Sequence, residues 1–106
     1  MKVVYLSGPI RAETPRERMQ NIEKAQKYAA DLWLEGYAVI CPHANSLIPL
    51  EDNDVPWIEG DIEILKRCDI VFMMPEWTNS KGSRLELEAA EKAGVEIRYL
   101  EDKRYP

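Results

Sequence analysis

Apolar positions along the chain fall into two rhythms. Short β-branched or apolar runs at Lys2–Ser7 (KVVYLS), Tyr37–Cys41 (YAVIC), Asp69–Met74 (DIVFMM) and Val95–Leu100 have the length and composition of buried strands. Gly8-Pro9, Pro42 and Pro75 close the first three. Between the runs the spacing changes to three and four. Ile22, Ala25, Tyr28, Ala29, Leu32 and Trp33 share one face of a predicted helix. Thr14 is placed to cap its start, Pro15 fits the first turn, Glu17 completes a capping box, and Gly36 ends it in a left-handed conformation. A shorter helix is predicted from about Trp57 to Arg67, with Ile58, Ile62 and Leu65 inward. A third runs from Ser83 to Ala93 and stops at Gly94. Residues 42–56, with three prolines and the acidic stretch Glu51-Asp52-Asn53-Asp54, read as one long loop and a candidate lid. The charged tail EDKRYP is expected to fray.

Strands alternating with helices predict an α/β fold: a mostly parallel sheet of about four strands with helices on both faces. Right-handed crossovers make 2-1-3-4 the simplest strand order. That order reverses between the first and third strands, and ligands in such sheets bind beyond the carboxyl ends of the strands at the reversal. Ser7–Arg11 and Pro75–Glu86 converge there.

Length and composition narrow the functional classes. The 106 residues fit a single domain, residues 1–106, with no internal repeat. Hydrophobic residues make up 45% and charged residues 31%, as in ordinary globular proteins. No apolar run approaches the roughly 18 residues needed to span a bilayer. The N-terminal MKVVYLSGPI lacks a signal-peptide pattern, so a cytoplasmic protein with no membrane partner is expected. The net charge is −5 and no basic stripe appears, which argues against nucleic acid polymers as partners. Cys41 and Cys68 read as small buried hydrophobes, not as a disulfide or zinc site. A single histidine, His43, among scattered acids makes neither a metal site nor a triad, and no cofactor is expected.

The candidate chemistry clusters at the reversal. Asn79-Ser80-Lys81-Gly82-Ser83 opens the third helix, where free N–H groups, hydroxyls and Lys81 suit an anion. A plain small-residue helix entry fits the same residues. Glu86 has two readings. It can close a capping box with Ser83, or it can be an ionised carboxylate aimed into the crevice. Asp61 is an acid on the inward stripe of the second helix, unless Gly60-Asp61 is a frayed helix start. Tyr5 can be core, or its hydroxyl can reach a carboxylate. Arg11 is a natural clamp for phosphate or carboxylate, or an ordinary surface arginine. Trp57 and Trp77 read as core or pocket lining, and Trp77 is placed to stack on a base.

Tyr5-Leu6-Ser7-Gly8-Pro9-Ile10-Arg11, then Asp61 eight residues before Asp69, then Ser80-x-Gly82-x-x-x-Glu86, resemble the nucleoside 2-deoxyribosyltransferase superfamily, in one order over nearly the whole chain. The resemblance implies a flavodoxin-like (Rossmann-like) three-layer sandwich. It implies that Glu86 attacks C1′ of a deoxyribosyl group, Asp61 protonates the leaving base and Tyr5 orients the nucleophile. It also places Ser7, Gly8, Ile10, Arg11, Trp77, Ser80, Lys81 and Gly82 at the substrate. Transferases of the superfamily carry an aspartate six residues before the nucleophile, near the sugar 5′ end. The nucleotide N-glycosidases carry a serine that helps hold a 5′-phosphate, and Ser80 matches these. An acid there would repel a phosphate, whereas Ser80, Lys81, Arg11 and the Gly82 amide attract one.

The expectation is therefore hydrolysis of the N-glycosidic bond of a 2′-deoxynucleoside 5′-monophosphate through a covalent glycosyl–glutamate intermediate. The alternatives are deoxyribosyl transfer, cleavage of another nucleotide, or a non-catalytic nucleotide sensor. A homo-oligomer is expected, since related enzymes share pockets between subunits and the helix bearing Leu32 and Trp33 has apolar surface to cover.

Overall fold

The computed structural model describes residues 1–48, 50 and 55–105. In order, the chain forms β1 (Val3–Ser7), α1 (Pro15–Leu34), β2 (Ala38–Ile40), α2 (Trp57–Lys66), β3 (Ile70–Met73), α3 (Lys81–Ala93) and β4 (Glu96–Tyr99). The four strands are parallel and lie in the order β2-β1-β3-β4. Val4 faces Val39 on one side and Ile70 on the other, and Ile70 in turn faces Glu96.

Alternation along β1 sorts the core into two halves. Val4 and Leu6 pack on one face with Ala25, Tyr28, Ala29 and Leu32 of α1, and with Ile70 and Phe72 of β3. Tyr5 points to the other face, where Val71 and Met73 meet Leu65 of α2 and Leu87 and Ala90 of α3. The result is a three-layer sandwich, as the alternation of elements predicts. Each fully buried large side chain contributes about 1.5–3 kcal/mol over its exposed state. No described helix is long and apolar enough to cross a membrane.

The start of α1 follows the sequence reading. Thr14 Oγ1 accepts from the Glu17 amide at 3.1 Å, and Gly36 adopts φ +97° just past the end. Four expectations need correction. The strand predicted over 37–41 shortens to Ala38–Ile40, because β2 is an edge strand paired only to β1 and Tyr37 turns its ring onto Phe72, centroids 5.4 Å apart. The loop predicted over 42–56 begins with a 3-10 turn, Pro42–Leu47, while Pro49 and Glu51–Asp54 lie outside the described residues. The tail does not fray. The Tyr105 ring stands edge-on to Tyr28 at 5.1 Å, its hydroxyl donates to Asp31, and Tyr28 accepts from the Lys103 amide at 2.9 Å. On α1, Leu32 is core, and the exposed large apolar residues are Met19, Trp33 and Leu34.

Candidate active site

A cleft of about 460 Å3 opens beyond the carboxyl ends of β1 and β3, where the strand order reverses. Its floor is Gly8–Arg11 on one side and Asn79–Ser83 on the other. Trp57, Ile58 and Asp61 of α2 form a third wall. Pro42, Asn45, Ser46, Ile48 and Leu50 complete the rim.

Glu86 closes the base of the cleft and is 8% exposed. Tyr5 and Ser7 stand two apart on β1 and so face the same side. The Tyr5 hydroxyl donates to Glu86 Oε2, and Ser7 Oγ donates to Oε1 at 2.8 Å. Both carboxylate oxygens are therefore held from the sheet, a hydroxyl on each. This corrects one of the two readings of Glu86. The cap of α3 is Ser80, whose Oγ accepts from the Ser83 amide at 3.2 Å. The helix starts two residues earlier than predicted, so Glu86 lies past the first turn and does not cap it.

Electrostatics pair Glu86 with Asp61. The Glu86 carboxyl stands at about 7: burial raises it most, the hydroxyls of Tyr5 and Ser7 pull it part of the way back, and the charge of Asp61 adds to the rise. Burial lifts Asp61 to about 6. Between these values the pair holds about one proton. Both Glu86 oxygens accept hydroxyl protons. Protonating it would force one donor to turn away. With the shared proton on Asp61 both hydroxyls keep donating, so this is the one-proton form in which Glu86 is a fixed, ionised carboxylate. Tyr5 is raised well above the ordinary phenol range, first by burial and then by the Glu86 charge, so it stays a donor.

Charge of the opposite sign lines the mouth. Arg11 and Arg18 border the cleft from the loop after β1 and from α1, and Lys81 from the start of α3. Ser83 Oγ is buried and, among the described residues, has no hydrogen-bond partner, while its residue lines the cleft. A Cβ at Gly82 would meet nothing closer than Ser80 Oγ at 3.9 Å, so the space beside it belongs to the cleft.

The residues singled out in the sequence divide by position. Glu86, Asp61, Gly8, Ile10, Arg11, Ser80, Lys81 and Gly82 line the cleft. Tyr5 and Ser7 stand behind it and touch it through Glu86. Trp77 lies outside the lining, packed on the sheet-side core with its ring 5.9 Å from Tyr99, and Trp57 is the tryptophan at the cleft. Ser83, named with the helix entry, also lines the cleft, while Arg18, Asn45 and Ser46 were missed. Arg18 had a signal in its place, one turn into a helix that starts beside the reversal. Asn45 and Ser46 sit in a stretch with no periodicity to place them.

A family model described as "Domain of unknown function (DUF4406)" matches residues 2–99. The chain belongs to the DUF4406 family. No curated protein matches it. Among solved structures, this DUF4406 protein resembles the 2-deoxyribosyltransferase of the psychrotolerant bacterium Bacillus psychrosaccharolyticus, a biocatalyst for nucleoside synthesis. The two share 23% identity and a TM-score of 0.65 over 98% of this chain and 92% of the other. At that identity the likeness establishes the α/β fold.

Proposed function

We propose that this DUF4406 protein cleaves the N-glycosidic bond of a 2′-deoxynucleoside 5′-monophosphate and releases the free base and 2-deoxyribose 5-phosphate. The observation that carries the reading is Glu86: buried, held at both oxygens by Tyr5 and Ser7, and sharing a cleft with Asp61. A carboxylate so fixed is an oriented nucleophile, and a neighbouring acid with a raised pKa is a proton donor near neutral pH.

A Glu86 oxygen attacks C1′, the C1′–N bond breaks, and its electron pair leaves with the base as Asp61 delivers a proton. The sugar is then an ester of Glu86. Asp61, now ionised, takes a proton from water, which attacks C1′ and returns the bonding pair to the Glu86 carboxylate. This is the logic of a retaining glycosidase. Tyr5 and Ser7 fix Glu86 and stabilise the carboxylate each time it is regenerated.

The cations and the free amides at the start of α3 favour a substrate with an anionic tail. Ser83 Oγ and the space beside Gly82 fit the same group. Binding energy at the phosphate would then position C1′ against Glu86. The fold likeness to a 2-deoxyribosyltransferase supports the reading at the level of architecture.

The test is a panel of deoxynucleoside monophosphates incubated with purified protein, with released base separated by chromatography. Base release abolished by Glu86→Gln is expected. Release that survives the substitution removes Glu86 as nucleophile, and no release from any member of the panel removes the function.

A further inference from the structure

Two consecutive carbonyls at the cleft are held by side chains that stand outside it. His43 Nε2 lies 3.1 Å from Pro9 O, and Asn21 Nδ2 donates to Ile10 O at 3.2 Å. A carbonyl only accepts, so Nε2 carries the imidazole proton. Nδ1 is then the acceptor facing Cys41 Sγ at 3.7 Å. The imidazole is fully buried, and burial depresses its pKa to about 4, which keeps it neutral.

The peptide bonds here are trans, so each carbonyl points opposite to the N–H of the same unit. Pro9 O is opposed by the Ile10 amide, and Ile10 O by the Arg11 amide. Pro9, Ile10 and Arg11 line the cleft, whereas His43 and Asn21 do not. Among the described residues neither amide meets an acceptor. Gly8 locks the other end of the segment. It lies so close to Met74 that a Cβ would come within 2.3 Å of the Met74 sulfur.

From this we infer that His43 and Asn21 are positioning residues. They turn two carbonyl oxygens away from the cleft and present the Ile10 and Arg11 amides, beside the Arg11 side chain, to a phosphate group of the ligand. The inference rests on the phosphate-bearing substrate proposed above. Without the two donors the segment is free to rotate a carbonyl oxygen toward the anion, and repulsion replaces attraction.

The experiment is a titration of isotope-labelled protein with inorganic phosphate, followed by amide resonances, in the unaltered protein and in His43→Leu, Asn21→Leu and His43→Gln. The Ile10 and Arg11 amides should shift on titration. Each leucine variant should weaken phosphate binding about tenfold. His43→Gln, which keeps an N–H near the Nε2 position, should restore most of it. A merely structural histidine would not be rescued in binding by glutamine. Amides that ignore phosphate in the unaltered protein overturn the inference, as do leucine variants that bind as tightly as the original or a glutamine variant as weak as leucine. The unaltered protein decides the matter even where a leucine variant does not fold. Phosphate-shifted amides without deoxynucleotide turnover would sink the proposed function alone. Turnover without shifted amides would sink only the positioning role.

Discussion

Replacing Glu86 by glutamine should stabilise the protein at alkaline pH and do so far less in mild acid. The folded carboxyl titrates near 7 instead of its ordinary 4.5, mainly because it is buried. Between those values the folded state keeps a proton that the unfolded chain has released, so stability falls as pH rises through the window. The contribution is fully present below about 4.5 and lost above about 7. A shift of that size corresponds to about 3 kcal/mol, at about 1.4 kcal/mol per unit. Glutamine has the same shape and no charge to desolvate, and its amide can still bond to the hydroxyls of Tyr5 and Ser7. The pH-independent part of the exchange cancels when two pH values are compared. Urea unfolding followed by circular dichroism at pH 5 and pH 8 should therefore give a variant-minus-original difference larger at pH 8 by about 2–3 kcal/mol. For a chain of this size that is on the order of 10 °C in Tm. An equal difference at both pH values would refute a desolvated, ionising Glu86, and a variant less stable at pH 8 than at pH 5, relative to the original, would reverse the sign of the argument.

Other outcomes follow from the same site. The reactive state carries one proton on the Asp61–Glu86 pair, so base release should be bell-shaped in pH, with its maximum between about 6 and 7; a rate that keeps rising to pH 9 would exclude Asp61 as the acid. Tyr5→Phe removes a donor that favours the Glu86 carboxylate, so the alkaline limb of that profile should move to higher pH and the maximum should fall; an unmoved profile would mean the hydroxyl does not govern ionisation. Asp61→Asn should slow release of an unactivated base by roughly 10²–10⁴-fold and spare a substrate whose leaving group needs no proton, and equal loss on both would reassign it. Gly8→Ala forces a Cβ against Met74 and should cost about 1–3 kcal/mol in chemical denaturation, with no loss expected only if Met74 repacks freely.

Much of the fold was legible because it is written in local rhythm. The β-branched runs and the three-four spacing of Ile22 to Leu32 set strands and helices, and right-handed crossover leaves one simple strand order. The reach of the Tyr5 hydroxyl to a carboxylate was one of two open readings, and that Ser7, two residues on, meets the same carboxylate was not drawn from the sequence. What the sequence hid depends on where chains start and stop. Ser80 and Ser83 are both good caps, and only packing decides that Ser80 is used, which releases Glu86 from the capping box. Tyr105 looked like part of a frayed end because its partners, Tyr28 and Asp31, lie more than seventy residues away. His43 gave no sign of its bond to Pro9, because a long-range contact to a main-chain oxygen leaves no trace in spacing.

The early start of α3 makes the helix a ruler. With Ser80 as its cap, the amides of Lys81 and Gly82 are unclaimed among the described residues, and Glu86 stands four to five residues further on, at about 1.5 Å of rise per residue. On the proposed function, an anion seated on those amides and a carbon facing Glu86 would be held about 6–8 Å apart along the axis, a spacing fixed chiefly by the helix backbone. A molecule whose charged group sits one sugar ring away from its reacting carbon matches that interval. Inserting a single residue between Gly82 and Glu86 would stretch it and swing the carboxylate about 100° around the helix, away from both hydroxyls on the sheet.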